Sequence, residues 1–203
     1  MRIFVAGASG VIGVRLIPLL VEAGHVVAAM TRSPDKTGLL RELGAQPVVC
    51  DVFDADALIR AVSGFGPDVV FHQLTDLPDQ AGDRARLSDR NDRMRTEGTR
   101  NLLAAAAAAG AERVIAQSIS WELPAGRRRA AVAAHERAVL QAGGVVIRYG
   151  QLYGPGTYYE GDPPEPPRIH VDDAARQTLP ALAAPSGVTL VADDRAGPAG
   201  PTG

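Results

Sequence analysis

Short apolar runs and helical stripes alternate along the chain. RIFVA (2–6), HVVAAM (25–30), PVVC (47–50), DVVF (68–71), RVIAQ (113–117), GVVIR (144–148) and VTLV (188–191) are rich in β-branched residues. They are continuously apolar rather than alternating, the pattern of strands covered on both faces. The intervening segments read as helices. In VIGVRLIPLLVEAG (11–24), Ile12, Leu16, Leu19, Leu20 and Ala23 fall on one face, Pro18 removes one helical hydrogen bond, and Gly24 is placed to end the helix. DADALIRAV (54–62) opens with carboxylates suited to a helix N-terminus. A long helix is expected over 86–110, with an alanine run that favours helix, another over 127–144, and a last one over 171–185.

This alternation predicts an α/β fold: a doubly wound parallel sheet of about seven strands with right-handed crossovers and helices on both faces. One domain is expected over 1–192. Residues 154–167 hold too many prolines and glycines for a helix or central strand and read as a loop or lid; the tail, 193–203, reads as disordered.

Composition narrows the function classes. The 203 residues are 46% hydrophobic and 22% charged, with a formal net charge of -2. No basic stripe is expected, so nucleic acid is not an expected partner. No apolar run reaches the roughly 18 residues of a membrane span and no signal-peptide pattern opens the chain, so a cytoplasmic location is expected. The single cysteine, Cys50, reads as a buried inert thiol in an apolar run. No His, Asp or Glu pair has metal-ligand spacing.

The chemistry starts at VAGASGVIG (5–13), which joins the first strand to the first helix. Gly7 permits a tight turn, Gly10 allows backbone amides close to a pyrophosphate, and Gly13 lets the helix pack on the strand. The helix N-terminus adds unpaired donors and partial positive charge. The expected cradle is Gly7, Ser9, Gly10, Val11, Ile12 and Gly13; a merely structural turn is the competing reading. The second predicted strand runs into Met30-Thr31-Arg32-Ser33, with no acid for a ribose 2′-hydroxyl. Arg32 and Ser33 suit a 2′-phosphate instead, which favours NADP(H) over NAD(H).

With these motifs the chain resembles the short-chain dehydrogenase/reductase superfamily, in its extended branch of NAD-dependent epimerases and dehydratases with a Rossmann fold. The turn GASGVIG, the segment Cys50-Asp51-Val52, EGTRNLLAAA (97–106), RYGQLYGPGT (148–157) and RIHVDDAA (168–175) match that branch in order. The resemblance implies that Asp51 and Val52 line the adenine site and that a homodimer forms through the two long helices; His72, at the end of the fourth predicted strand, reads as a core or cofactor-rim residue. A small carbonyl or hydroxyl compound is the implied substrate.

The resemblance also exposes two departures. The branch carries a tyrosine, and a lysine four residues later, on the helix after strand five. Taking Glu136 as the glutamate that commonly follows the lysine by four puts Arg128 and Val132 at those positions, and GRRRAAVAAHERAVLQ (126–141) contains neither a tyrosine nor a lysine. Arginine does not deprotonate in proteins, so it cannot be the acid. The remaining catalytic candidates are Ser118 and Ser120 at the serine position, Tyr153 after strand six, and His135, seven residues beyond Arg128. Second, only TYYEGDPPEPPR separates YGPG from IHVDD, so the C-terminal substrate lobe (154–187) is reduced. Three readings stay open: a reductase or redox-neutral enzyme with non-standard acid/base residues, a cofactor-binding sensor without turnover, and a cofactor-independent lyase or cyclase.

Overall fold

The computed structural model describes residues 1–75 and 84–193, with backbone alone over 84–88. Seven parallel strands form one sheet: β1 (Arg2–Ala6), β2 (Val26–Thr31), β3 (Gln46–Val49), β4 (Val69–His72), β5 (Arg113–Ile119), β6 (Val145–Tyr149) and, later in the chain, β9 (Gly187–Val191). Their spatial order is β3-β2-β1-β4-β5-β6-β9. The winding reverses between β1 and β4, and in such sheets ligands bind outside the strand C-termini at that point.

Each strand splits its side chains between two cores. Ile3 and Val5 pack with Leu16, Ile17 and Leu20 of α1 (Gly13–Glu22), and with Val171 and Ala174 of α7 (Val171–Thr178). Phe4 and Ala6 face the other way, onto Leu58 and Val62 of α3 (Ala55–Phe65) and Leu102 and Ala105 of α5 (Thr99–Ala108). Burial on both faces explains the unbroken apolar runs in the sequence. Asp54 caps α3 as its composition predicts, accepting from the Ala57 amide at 3.0 Å. Among the described residues no helix is long and apolar enough to cross a membrane.

Local order departs from the expectation in three places. The long helix predicted over 86–110 is α4 (Arg84–Arg93), a π turn (Met94–Gly98) and then α5. Thr96 Oγ1 donates to the Asp92 carbonyl at 2.9 Å in that turn, a local bond that periodicity cannot report. A short α2 (Thr37–Glu42) fills a stretch without a clear stripe. The expected loop around 154–167 is flanked by two three-residue strands, β7 (Gln151–Tyr153) and β8 (Arg168–His170), which pair in parallel. Helix α6 (Arg127–Gln141) completes the layer over β5 and β6. The tail expected to be disordered lies, from residue 194 onward, outside the described residues.

Candidate functional site

A cleft of about 220 Å³ opens at the C-terminal ends of β1, β2, β3 and β4, lined among others by Gly7, Ser9, Gly10, Arg32, Asp51 and Gln73. Two of the three glycines are required by the fold itself. Gly7 has φ +87°, and a Cβ there would stand 2.4 Å from the Gln73 carbonyl oxygen. A Cβ on Gly13 would lie 2.5 Å from both the Gly7 and Ala8 carbonyl oxygens. Gly10 differs: its conformation is not left-handed, and a Cβ would meet only the Gly7 oxygen at 3.3 Å. Internal packing therefore constrains Gly10 far less than Gly7 or Gly13, and a turn of this kind keeps a glycine there where a ligand approaches the backbone closely.

The helix behind the turn is open for such a ligand. Ile12 caps α1 without a side-chain bond, and the first turn holds no acid. Among the described residues, the amides of Ser9, Val11, Ile12 and Gly13 make no backbone hydrogen bond. Ile12 itself turns inward, only 3% exposed, so its side chain belongs to the core and only its amide to the turn. Ser9 Oγ and Thr31 Oγ1 are 3.0 Å apart, and the Ser33 amide donates to Thr31 Oγ1 at 3.2 Å. These bonds tie the turn to the end of β2, where Arg32 is exposed on the cleft wall.

The third-strand exit forms the opposite wall. Asp51 Oδ1 accepts from the Phe53 amide at 2.9 Å, and buried Asn101 donates from Nδ2 to the Val52 carbonyl at 3.0 Å. Asn101 lies in the EGTRNLLAAA segment, so that motif braces the Asp51–Val52 loop from α5. Cys50 also reaches this wall; burial, then Asp54 and Asp51, push its thiol pKa up, which keeps it protonated and unreactive.

His72 is not on the rim. Its ring is 1% exposed and sits in a directional hydrogen-bonded chain beneath the cleft. The Leu74 amide donates to His72 Nδ1 at 3.4 Å, which leaves the proton on Nε2 to bond Thr99 Oγ1 at 3.0 Å. Thr99 then donates to His135 Nδ1 at 2.7 Å, and His135 Nε2 donates to the Gln117 carbonyl at 2.9 Å. Burial pushes both histidines below their ordinary pKa, His72 strongly. The expectation that His135 substitutes for the missing acid is therefore corrected. Seven residues of helix bring it under Arg128, but its ring is 2% exposed and both nitrogens are engaged.

Ser118 is likewise committed. Its hydroxyl donates to Glu136 Oε1 at 2.6 Å, while Arg148 donates to the same carboxylate through Nε at 2.9 Å and Nη2 at 2.6 Å. Burial alone would raise the Glu136 pKa, but the bonds from Arg148 and Ser118 outweigh it and hold the carboxyl below its usual range. Ser120 lies just past β5, its buried Oγ without a partner among the described residues. Tyr153 sits on β7 with its hydroxyl donating to Asp193 at 3.1 Å and its ring edge-on to His170, with no hydrogen bond to either serine among the described residues. Neither nearby tyrosine is activated. Burial pushes Tyr149 up to about 12, and burial together with Asp193 raises Tyr153. Arg128 is exposed and Val132 half-buried on α6. No described group of His, Cys, Asp or Glu is arranged to hold a metal.

The cleft and its glycine turn coincide with a known sequence pattern: a family model described as NAD(P)H-binding matches residues 7–141. The chain belongs to that NAD(P)H-binding family. A 3-diazoavenalumate denitrifying reductase from a Streptomyces species is 36% identical over 241 aligned positions, covering 98% of this chain and 78% of the relative. Among solved structures, a UDP-glucose 4-epimerase from Thermotoga maritima superposes with a TM-score of 0.79 at 20% identity, covering 96% of this chain and 78% of that one. A Thermus thermophilus UDP-glucose 4-epimerase in complex with NAD gives 0.76 at 22% identity, covering 95% and 78%. At these identities the two epimerases establish the fold of this NAD(P)H-binding protein.

Sequence reading missed Gln73, Leu74, Thr75 and Met94 in the wall of the cleft. The first three follow β4 at the winding reversal, so the rule that sites gather at strand C-termini was the available signal. Met94 is aimed by the π turn, which carried no signal in the sequence.

Proposed function

We propose that this protein is an NADPH-dependent reductase whose acceptor needs a hydride but no proton from the enzyme, an aryl diazo compound being the class that fits. The observation that carries this reading is a glycine turn with unbonded amides at the N-terminus of α1, in a chain whose α6 has neither tyrosine nor lysine. The described alternatives do not replace them, since His135 is sealed, the buried Tyr149 hydroxyl is bonded to Thr178, and the Tyr153 hydroxyl is bonded to Asp193. An alcohol–ketone interconversion without a positioned acid/base would forfeit about 10²–10⁴ in rate. When bound, NADPH supplies a hydride, which on an arenediazonium carbon forms a C–H bond as the C–N electron pair departs with N₂. Atoms and charge balance with no proton donated. The Streptomyces relative, which spans nearly the whole chain, bears the name of a denitrifying reductase, which agrees with this chemistry.

The chain's own residues then bind and orient. Amides of Ser9, Val11, Ile12 and Gly13 at the α1 N-terminus hold the pyrophosphate. The Asp51–Val52 loop frames the adenine, and Arg32 with Ser33 receives the 2′-phosphate. In an Arg32→Ala protein, NADPH affinity is expected to fall about tenfold while NADH affinity stays within twofold, as loss of a charge-assisted bond requires. Calorimetric titration with both nucleotides checks this, and equal losses for the two would remove the 2′-phosphate assignment.

The reaction itself is tested with an arenediazonium salt and NADPH deuterated singly on either face of C4. Deuterium should enter the arene from one face only, with N₂ released in proportion to cofactor oxidised. Transfer from both faces equally, as in the protein-free control, would leave a cofactor-binding protein without turnover.

A further inference from the structure

One side chain joins three of the segments that stand out in the sequence. Arg15 sits in the first turn of α1, which begins at Gly13. Its Nη1 donates to the Val11 carbonyl at 2.9 Å, its Nη2 to the Pro155 carbonyl at 2.7 Å, and its Nε to Asp172 Oδ1 at 2.5 Å. Val11 belongs to the glycine turn, Pro155 to YGPG (153–156), and Asp172 to IHVDD (169–173). The last two segments pack on each other. A Cβ on Gly154, at φ +102°, would stand 2.5 Å from His170 Nε2, and the Tyr153 ring lies edge-on to His170. His170 Nδ1 accepts from the Asp172 amide at 3.3 Å. The reduced lobe is thus fastened to the glycine turn by one guanidinium, each of whose nitrogens is spent on a different segment.

What the guanidinium takes from the turn is specific. The Arg15 main-chain amide bonds the Ile12 carbonyl at 3.1 Å. The Val11 carbonyl therefore receives no backbone hydrogen bond among the described residues and is left to the Arg15 side chain. That carbonyl and the Ile12 amide are the two ends of one planar peptide group. The Ile12 amide is in turn one of the unbonded donors at the α1 N-terminus. The fold itself holds this peptide at its carbonyl end. An anion on the Ile12 amide fixes the other end and polarises the carbonyl, which strengthens the bond from Arg15. We infer that Arg15 is a positioning residue that couples nucleotide binding to the reduced lobe: a dinucleotide phosphate on the turn steadies Pro155 and Asp172 through one guanidinium. The coupling rests on the nucleotide-binding reading above and is independent of which substrate is reduced. A lobe ordered in this way leaves a smaller entropic cost for a second ligand, which is positive coupling without a change of shape.

Hydrogen exchange read by mass spectrometry on the full chain, with and without saturating NADP⁺, tests the coupling. In the unaltered protein NADP⁺ should slow exchange over residues 8–14. It should also slow exchange over 153–157 and 170–176 by about fivefold, the lower end of coupling between sites. Arg15→Gln should keep the slowing over 8–14 while that over the other two segments falls below about twofold. Arg15→Lys should behave likewise, because a compact ammonium on a flexible stem cannot hold three segments in one plane. A merely structural arginine would lower the melting temperature on substitution without changing which segments NADP⁺ protects. If neither variant folds, Asp172→Ala removes only one of the three bonds, and protection should then be lost over 170–176 and kept over 153–157. Slowing confined to 8–14 in the unaltered chain, or slowing of all three segments in the variants, overturns the proposal. No slowing anywhere removes the nucleotide reading, and the coupling with it.

Discussion

Gly10→Ala is expected to fold almost normally and to lose its cofactor, whereas Gly13→Ala is expected to lose both. The added methyl at position 10 meets only one carbonyl oxygen at 3.3 Å, in a backbone conformation open to alanine, so the melting temperature should move by less than about 2 °C. The same methyl stands where a pyrophosphate approaches the turn, and NADPH affinity should fall about tenfold or more. At position 13 the methyl is driven 2.5 Å from two backbone carbonyl oxygens that cannot rotate away. Separating α1 from β1 to relieve that clash costs about 3 kcal/mol and lowers the melting temperature by roughly 5–10 °C. Thermal melts with paired NADPH titrations distinguish the two. Loss of stability at Gly10 equal to that at Gly13 would make the whole turn structural.

Stability should fall steeply as pH drops below the ordinary histidine range, because His72 and His135 are both sealed in the fold as neutral rings. Their folded pKa values lie below the unfolded value of about 6.5. Above that value both states are neutral and the rings impose no pH dependence. Below it the unfolded chain takes up protons that the folded chain refuses, so the unfolded state gains stability with each unit of acidification. A ring that stays neutral in the fold throughout this range removes about 1.4 kcal/mol between pH 7.5 and 5.5; His72, whose pKa is lowered most, contributes the larger share and His135 adds to it. Urea unfolding across this range measures the loss, and His135→Gln should flatten the slope. An unchanged slope in the variant would mean that His135 is already protonated in the fold. Paired acid groups add their own dependence only at lower pH, where the depressed Glu136 carboxyl is neutralised and its bonds with Arg148 and Ser118 are lost.

The amino-acid sequence alone determined the layered architecture. β1 carries Ile3 and Val5 to one core and Phe4 and Ala6 to the other, and a strand with two buried faces has no choice but to be apolar throughout. The turn from Gly7 to Gly13 was legible for a related reason: tight backbone geometry admits few residue types, so local sterics write themselves into the sequence. The catalytic question was half legible, since the lack of tyrosine and lysine on α6 is a plain fact of composition. What replaces them was decided only by tertiary contacts between distant segments. His135 looked available by helical spacing, yet Thr99 from α5 and Gln117 from β5 take both its nitrogens. Ser118 looked like a substrate contact, but the Glu136–Arg148 pair claims its hydroxyl. Periodicity reports which face of an element is buried; only the packing of several elements settles which polar group there is left without a partner.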